Sequence, residues 1–206
     1  MKKKYILMGV AATLLVTAIA GGSLAYFQAD GENVQQQINT KSLSIDLIGS
    51  GNENTKQSVL VANTMPGEQI EKNVKVENTA DTPLYTRVTI RKYWGDFSND
   101  NLTKDFDKDT SKILIPTLEN WYISTGEGDD ETLVMYYQDP IQPGESVDVM
   151  YSLEVSPELN NTYANLGIGL DVEAEAVQAF AAQDAILSEW GVWAEIDGDH
   201  IVYVEE

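Results

Sequence analysis

Few residues in this chain could carry out chemistry, because it has 33 acidic residues but a single histidine and no cysteine. A zinc peptidase of the usual type needs two histidines four residues apart on one helical face, with a glutamate as base. His200 stands alone after a predicted turn, and the residues around it lack the spacing of a zinc site. A Ser/His/Asp triad would also depend on His200, and the chain has no Gly-x-Ser-x-Gly motif. We therefore expect no catalytic residues and no enzyme activity.

One group of acids has the spacing of a metal site. Asp105, Asp107 and Asp109 alternate in the way that a calcium-binding loop begins. An EF-hand would continue with glycine at its sixth position and glutamate at its twelfth, where this chain has Thr110 and Pro116. The three aspartates are therefore candidates for a looser calcium site, and calcium is the one cofactor that the sequence suggests. The alternative is a solvated acidic loop.

The charge balance limits the partners of the chain. It has 206 residues with 13 Lys and Arg against 33 Asp and Glu, which gives a net charge of −20. Such an excess of negative charge argues against nucleic acid or an anionic membrane surface as a partner. The length is sufficient for one domain with a substantial core.

The N-terminal stretch has the pattern of an export signal. Three lysines at positions 2–4 precede an uncharged apolar run at 5–20, and small residues follow it. The run is shorter than the ~20 residues that span a bilayer. We expect residues 1–25 to be a signal peptide, cleaved after Ala25 or Tyr26, so that the chain meets the membrane only during export. The alternative is an uncleaved N-terminal anchor.

The remaining residues predict strands more than helices. Residues 26–42 are rich in Gln and Asn and predict a flexible arm, and residues 43–206 form the predicted domain. Apolar residues alternate with polar ones at 43–47, 70–76, 84–90, 147–155 and 168–174. Two similar units, each a Pro-Gly-Glu turn followed by a strand, begin at Pro66 and Pro143 and suggest a weak internal repeat.

The end of the chain breaks this pattern. Residues 176–189 are rich in Ala, Gln and Glu and predict a helix, and Asp197-Gly198 predicts a hairpin. Residues 95–112 predict an acidic loop insertion. The fold class that we expect is all-β: a jelly-roll-like antiparallel β-sandwich with one C-terminal helix.

Aromatic residues recur in the predicted strands, at Tyr93, Trp94, Trp121, Tyr122, Tyr136 and Tyr137. Because neighbours in a strand point to opposite faces, some of these rings must face outward or into a second layer. An outward stripe would suit a glycan or a protein ligand. The alternative is that the rings fill the core and form cross-strand pairs.

Several short motifs together resemble the TasA/camelysin family of exported proteins of Gram-positive bacteria. They are Gly-Gly-Ser-Leu-Ala-Tyr-Phe at 21–27, Leu-Ser-Ile-Asp-Leu at 43–47, the turn at 66–68, Asn-Thr at 78–79, Tyr-Thr-Arg-Val at 85–88, and Val-Gln-Ala at 177–179 leading into Trp-Gly at 190–191. The resemblance implies release by a SipW-type signal peptidase, a jelly-roll domain and assembly into extracellular fibres of a biofilm matrix. The partners would be the chain itself or homologous matrix subunits.

In such fibres the N-terminal segment of one subunit completes a sheet of the next. The resemblance therefore implies a donor strand that includes Phe27, Leu43, Ile45 and Leu47. Unpaired strand edges invite such addition, and alternate side chains set its register. The alternative is that residues 43–47 form the first strand of their own sandwich. Two other functions stay open: a camelysin-type secreted metalloendopeptidase, and a monomeric cell-surface module that binds glycan or protein.

Overall fold

The structure is a computed structural model that describes residues 45–48, 56–61, 64–98, 101–124 and 130–205. All of these residues belong to one compact unit, residues 41–206. The predicted signal peptide, the predicted arm at 26–42 and Leu43 lie outside the described residues.

Twelve strands and one α-helix make up most of the described residues. The strands are β1 (Ile45–Ile48), β2 (Lys56–Val61), β3 (Gln69–Asn78), β4 (Leu84–Ser98), β5 (Asn101–Asp105), β6 (Ile113–Leu114), β7 (Trp121–Ser124), β8 (Thr132–Tyr137), β9 (Ser146–Val155), β10 (Leu166–Gln178), β11 (Trp193–Asp197) and β12 (His200–Glu205). The helix α1 is Ala182–Trp190, and two short 3-10 helices are Thr110–Lys112 and Asn161–Tyr163.

The strands form two antiparallel sheets and a separate hairpin. Sheet A has the order β1-β3-β9-β6. Sheet B has the order β2-β10-β4-β8-β7, and β5 pairs with β4 beyond that path. The hairpin is β11-β12, which turns at Asp197-Gly198 as the sequence predicts. The all-β sandwich expected from the sequence is confirmed.

The main hydrophobic core receives side chains from both sheets. In β9 Val147 and Val149 are buried, the register against β3 shifts at Val149, and Met150 and Leu153 are buried beyond the shift. Tyr151 is exposed, so the alternation predicted through 147–155 is broken there. From sheet B, residues such as Ile90 and Leu170 belong to the same core, and burial of apolar surface at roughly 25 cal/mol per Å² stabilises the pair of sheets.

A second, smaller core lies on the outer face of sheet B. Tyr85 belongs to this second core, whereas its neighbours Leu84 and Val88 belong to the main one. The second core also contains Tyr136 and Val177 from sheet B, Ile186 and Trp190 from α1, and Val192, Ala194, Ile201 and Val204 from the C-terminal segment. The C-terminal residues therefore cover part of this sheet rather than extend it.

The two Pro-Gly-Glu turns are related in the structure as the repeat in the sequence suggests. Gly67 and Gly144 both have φ +75°, a conformation that glycine adopts at no steric cost. The amide of Gly67 donates to the carbonyl of Val155 at the end of β9, and the amide of Gly144 donates to the carbonyl of Asn78 at the end of β3. The turn at 66–68 thus precedes β3 and binds the end of β9, and the turn at 143–145 precedes β9 and binds the end of β3.

Two predictions from the sequence need correction. The helix predicted at 176–189 begins only at Ala182, because residues up to Gln178 continue β10 and pair with β4. Burial of Val177 in the second core outweighs the helix propensity of its neighbours. The insertion at 95–112 also contains more regular structure than expected, since β4 runs to Ser98 and pairs with β5.

Candidate functional site

One side of β10 lacks a partner strand over part of its length. All 13 residues of β10 pair with β4, but β2 pairs only with residues 168–173. Within the part of the chain that the structure describes, no strand pairs with the other side of residues 174–178. Among the described residues this stretch is therefore an open strand edge, and open edges are the sites at which another strand can add to a sheet.

The backbone groups on this open edge can be assigned from the hydrogen bonds on the opposite side. The carbonyl of Glu175 accepts a bond from Thr86 Oγ1 on β4, so Glu175 faces β4. Successive residues of a strand direct their N–H and C=O groups to opposite sides. Ala174, Ala176 and Gln178 therefore present donors and acceptors to the open side.

A groove of about 590 Å³ lies beside this edge, between the end of β10 and α1. We call it the β10 groove, and it is lined by Ala176, Val177, Gln178, Ala181, Asp184, Ala185, Ser188 and Glu189. The helical residues among them are three or four positions apart, so they share one face of α1. Because four of the eight lining residues are alanine or serine, the groove leaves space for the side chains of an added strand.

Arg87 holds the far end of α1 against sheet B. Its guanidinium donates to Glu175 Oε2 from two nitrogens, at 2.9 and 2.6 Å, and to the carbonyl of Trp190 at 3.3 Å. The same group lies 5.3 Å from the ring centroid of Trp190, a distance suited to a cation–π contact. One side chain therefore joins the open half of β10 to the last turn of the helix, and so fixes two walls of the groove.

The donor-strand residues predicted from the sequence fall in two places. Ile45 and Leu47 lie in β1, which pairs with β3 of the same chain, and Leu47 is completely buried. This is the arrangement that the sequence analysis left open as an alternative. Phe27 and Leu43 lie outside the described residues, as do the predicted cleavage positions Ala25 and Tyr26. The donor assignment stays a prediction.

The aspartates of the predicted calcium site use their oxygens locally. Asp105 accepts a bond from the amide of Asp107 and pairs with Lys108 at 3.0 Å, and both contacts hold the pKa of Asp105 below its usual range. Asp109 accepts bonds from Ser111, which lower its pKa. Among the described residues, no group of three or more histidine or acidic side chains could hold a metal ion. The calcium prediction stays untested.

His200 lies at the start of β12 and contacts one acid. Its Nδ1 is 2.9 Å from Asp139 Oδ1. The carbonyl of Asp199, the residue before His200, accepts a hydrogen bond from Oη of Tyr85 on β4 at 2.6 Å. Burial raises the pKa of Tyr85 to about 12, and the charges of Asp199 and Asp139 add to the effect. These contacts attach the C-terminal hairpin to sheet B.

A family model described as camelysin metallo-endopeptidase matches residues 1–133, which is more than half of the chain. The chain belongs to the camelysin family. The match ends inside β8, so it includes neither β10 nor α1 nor the C-terminal hairpin. Comparison with curated proteins and with solved structures finds no match.

The metal that the camelysin description implies does not fit the donors of this chain. The matched segment 1–133 contains no histidine and no cysteine, because the single histidine is at position 200. Zinc sites in peptidases take two or three imidazoles, whereas His200 has one carboxylate beside it. We therefore derive no catalytic step through a metal.

The aromatic residues singled out in the sequence serve mainly the two cores. Trp94, Trp121 and Tyr136 are buried, and the indole nitrogen of Trp94 donates to the carbonyl of Asp109.

Of the helices that the structure describes, none has the length and apolar character needed to cross a bilayer.

Sequence reasoning missed the β10 groove. Its one signal was the alternation through Val172 and Ala174, which continues into the alanine-rich residues.

Proposed function

We propose that this camelysin-family chain is an exported structural protein, a subunit or accessory of extracellular matrix fibres at the surface of a Gram-positive bacterium. Its subunits assemble when the N-terminal segment of one copy adds as a strand to the next. The observation that supports this best is the open edge of β10 with the groove beside it.

The dimensions of the two parts suit this assembly. The open edge covers five residues, or about 17 Å at the ~3.4 Å rise of an antiparallel strand. The 17 residues of the arm at 26–42 can extend to about 60 Å. Val34 and Ile38 of the arm lie at the same parity, so one face of an added strand would place both against the small residues of the groove.

β1 gives the donor segment an anchor in its own subunit. Ile45 and Leu47 pair with β3, so in the proposed fibre they hold the segment at its base while Phe27 and the residues after it reach the next copy. A contact of this head-to-tail kind does not close on itself, and repeated copies form a filament. The arrangement thus combines the donor role with the pairing seen within the chain.

Export precedes assembly in this proposal. A SipW-type signal peptidase releases the chain by cleavage after Ala25 or Tyr26, and the arm then begins at the new N-terminus. Mass spectrometry of the protein recovered outside the cells tests this step. A mature N-terminus at residue 26 or 27 is expected, and recovery of uncleaved chain from the membrane fraction alone would contradict it.

Negative-stain electron microscopy of the mature chain, residues 26–206, tests the assembly. We expect filaments from this chain and none after deletion of residues 27–42, which leaves β1 in place. Ser188→Trp fills the β10 groove and should also prevent filaments. Leu187→Trp is the matched control, because Leu187 is exposed on α1 but does not line the groove.

Filaments that form without residues 27–42 would refute the donor role of the arm. Filaments from Ser188→Trp as abundant as those from Leu187→Trp would refute the β10 groove as the acceptor. A mature chain that stays monomeric at every concentration would refute self-assembly altogether.

The description of the family favours one other function, a secreted metalloendopeptidase. Purified mature chain incubated with casein separates the two. We expect no cleavage and no tightly bound zinc. Cleavage that is lost in His200→Ala, together with about one zinc per chain, would support the enzyme and overturn the structural proposal.

A further inference from the structure

A second groove lies at the start of β9 in sheet A, and Trp121 of β7 and Tyr137 of β8 in sheet B also line it. It has a volume of about 440 Å³, and we call it the β9 groove. Its lining is Leu118, Glu119, Trp121, Tyr137, Glu145, Ser146, Val147, Asp148 and Tyr151. β3 pairs with one side of this part of β9. On the other side β6 pairs only with Glu154 and Val155, so among the described residues no strand pairs with that side of residues 146–150.

The lining of the β9 groove is both aromatic and anionic. Three carboxylates line it and no lysine or arginine does. Tyr151 is half exposed, and its hydroxyl donates to Asp148 Oδ2 at 2.7 Å, which fixes the ring beside the carboxylate. The rings of Trp121 and Tyr137 also line the groove, and they pack edge to face with their centroids 5.2 Å apart.

The acids of the groove have little positive charge to balance them. Asp148 Oδ1 is shielded from solvent and accepts no hydrogen bond of good geometry, and the ammonium of Lys75 lies 3.0 Å from it. Glu145 accepts a bond from the backbone amide of Gln142. Neither Glu119 nor Glu145 has a cation within ion-pair distance among the ion pairs that the structure describes.

We propose that the β9 groove binds a lysine or arginine side chain carried by an extended basic segment of a partner protein. The carboxylates attract the cation, and the face of Tyr151 adds a cation–π contact. The net charge of −20 on the whole chain acts in the same direction, because it draws basic partners. The occupant is a segment of a different protein, one rich in lysine or arginine, since this chain has only 13 such residues against 33 acids.

This inference does not depend on fibre formation, since it concerns another strand of the other sheet. Its test uses the mature chain and a fluorescein-labelled ten-residue peptide of alternating lysine and valine, followed by fluorescence anisotropy. We expect binding that weakens as salt rises. A peptide of alternating glutamate and valine should not bind, and lysine amide alone should bind much more weakly than the peptide.

Two variants of equal net charge locate the site. Glu119→Gln/Glu145→Gln should weaken binding of the lysine peptide several-fold, since both glutamates are exposed and each exposed charge contact changes affinity by a factor of about 1.5 to 5. Glu195→Gln/Glu205→Gln removes the same charge from the exposed face of the C-terminal hairpin and should change affinity less than about twofold. Tyr151→Leu keeps every charge and should weaken binding several-fold.

Equal losses in the two double variants would overturn the proposal, because they would show attraction by net charge alone. An unchanged affinity in both Glu119→Gln/Glu145→Gln and Tyr151→Leu would overturn it as well. If lysine amide binds as tightly as the peptide, the groove takes a small cation and not a protein segment, and the proposal is overturned. Coincident thermal unfolding of all variants confirms that they are folded.

Discussion

Asn78 is the side chain on which the corner between β3 and β4 depends. It is completely buried, and its amide nitrogen donates to the carbonyls of Thr82 and Ile141, each at 2.8 Å. Its side-chain oxygen accepts from the amide of Ala80 at 2.9 Å. We expect Asn78→Ala to destabilise the fold strongly, because three backbone groups lose a partner at once.

The size of the effect follows from what each group retains. The carbonyl of Ile141 keeps a bond from the amide of Leu84 at 3.1 Å, and Ala80 and Thr82 are half-buried and so within reach of water. Each lost bond then costs nearer 1 than 3 kcal/mol. The total is about 3 kcal/mol, a large part of the 5–15 kcal/mol that is typical of a domain.

Urea unfolding, followed by tryptophan fluorescence, measures this loss. Asn73→Ala is the control, since Asn73 is exposed on the same strand and its replacement should change the unfolding free energy by no more than about 0.5 kcal/mol. A loss below about 1 kcal/mol for Asn78→Ala, at an unchanged dependence on urea, would refute the reasoning.

Three further predictions concern backbone strain, packing and titration. Ala181 has φ +52°, so Ala181→Gly should raise the unfolding free energy by about 0.5–1 kcal/mol in a thermal melt, and a lower melting temperature would contradict the strain. A Cβ on Gly169 would lie 2.2 Å from Cζ of Tyr93, so Gly169→Ala should cost about 1–3 kcal/mol in urea, and much less in a Tyr93→Ala background. The pKa of Tyr85 is raised from 10.0 to about 12 in the folded chain. Its contribution to the free energy of unfolding is therefore fully present below pH 10 and is lost as the pH rises to 12. The midpoint of urea unfolding should fall over this range, and less steeply in Tyr85→Phe.

The strands of sheet A and the turns before them could be predicted because their signals are local. The apolar pattern of β9 and the Pro-Gly pairs at 66–67 and 143–144 each determine a few neighbouring residues without help from distant ones. The exact alternation in β9 could not be predicted, because the register shift that buries Met150 and exposes Tyr151 depends on the pairing with β3. The pairing of Ile45 and Leu47 with β3 was foreseen as one of two alternatives. It could not be chosen, because a sheet edge accepts a strand from its own chain or from another by the same hydrogen bonds.

The grooves could not be predicted, because each depends on where pairing stops. Residues 176–178 resemble the start of a helix in sequence, yet they belong to β10 because every residue of β10 pairs with β4. β2 begins at Lys56 opposite Glu173, so among the described residues its pairing stops before residue 174, and this is a property of register. The β9 groove likewise joins Glu119 to Tyr151, residues that no short motif connects.

The two Pro-Gly-Glu turns hold the central strands of sheet A, β3 and β9, in register from both ends of the pair. Gly67 and Glu68 exchange two backbone bonds with Val155, and Gly144 and Glu145 exchange two with Asn78. A slip of β3 against β9 would have to break bonds at both ends at once, so the register of this pair has no intermediate positions. Loss of one turn also removes the anchor of the strand that the other turn begins. The two halves of the repeat should therefore open and close as a single unit.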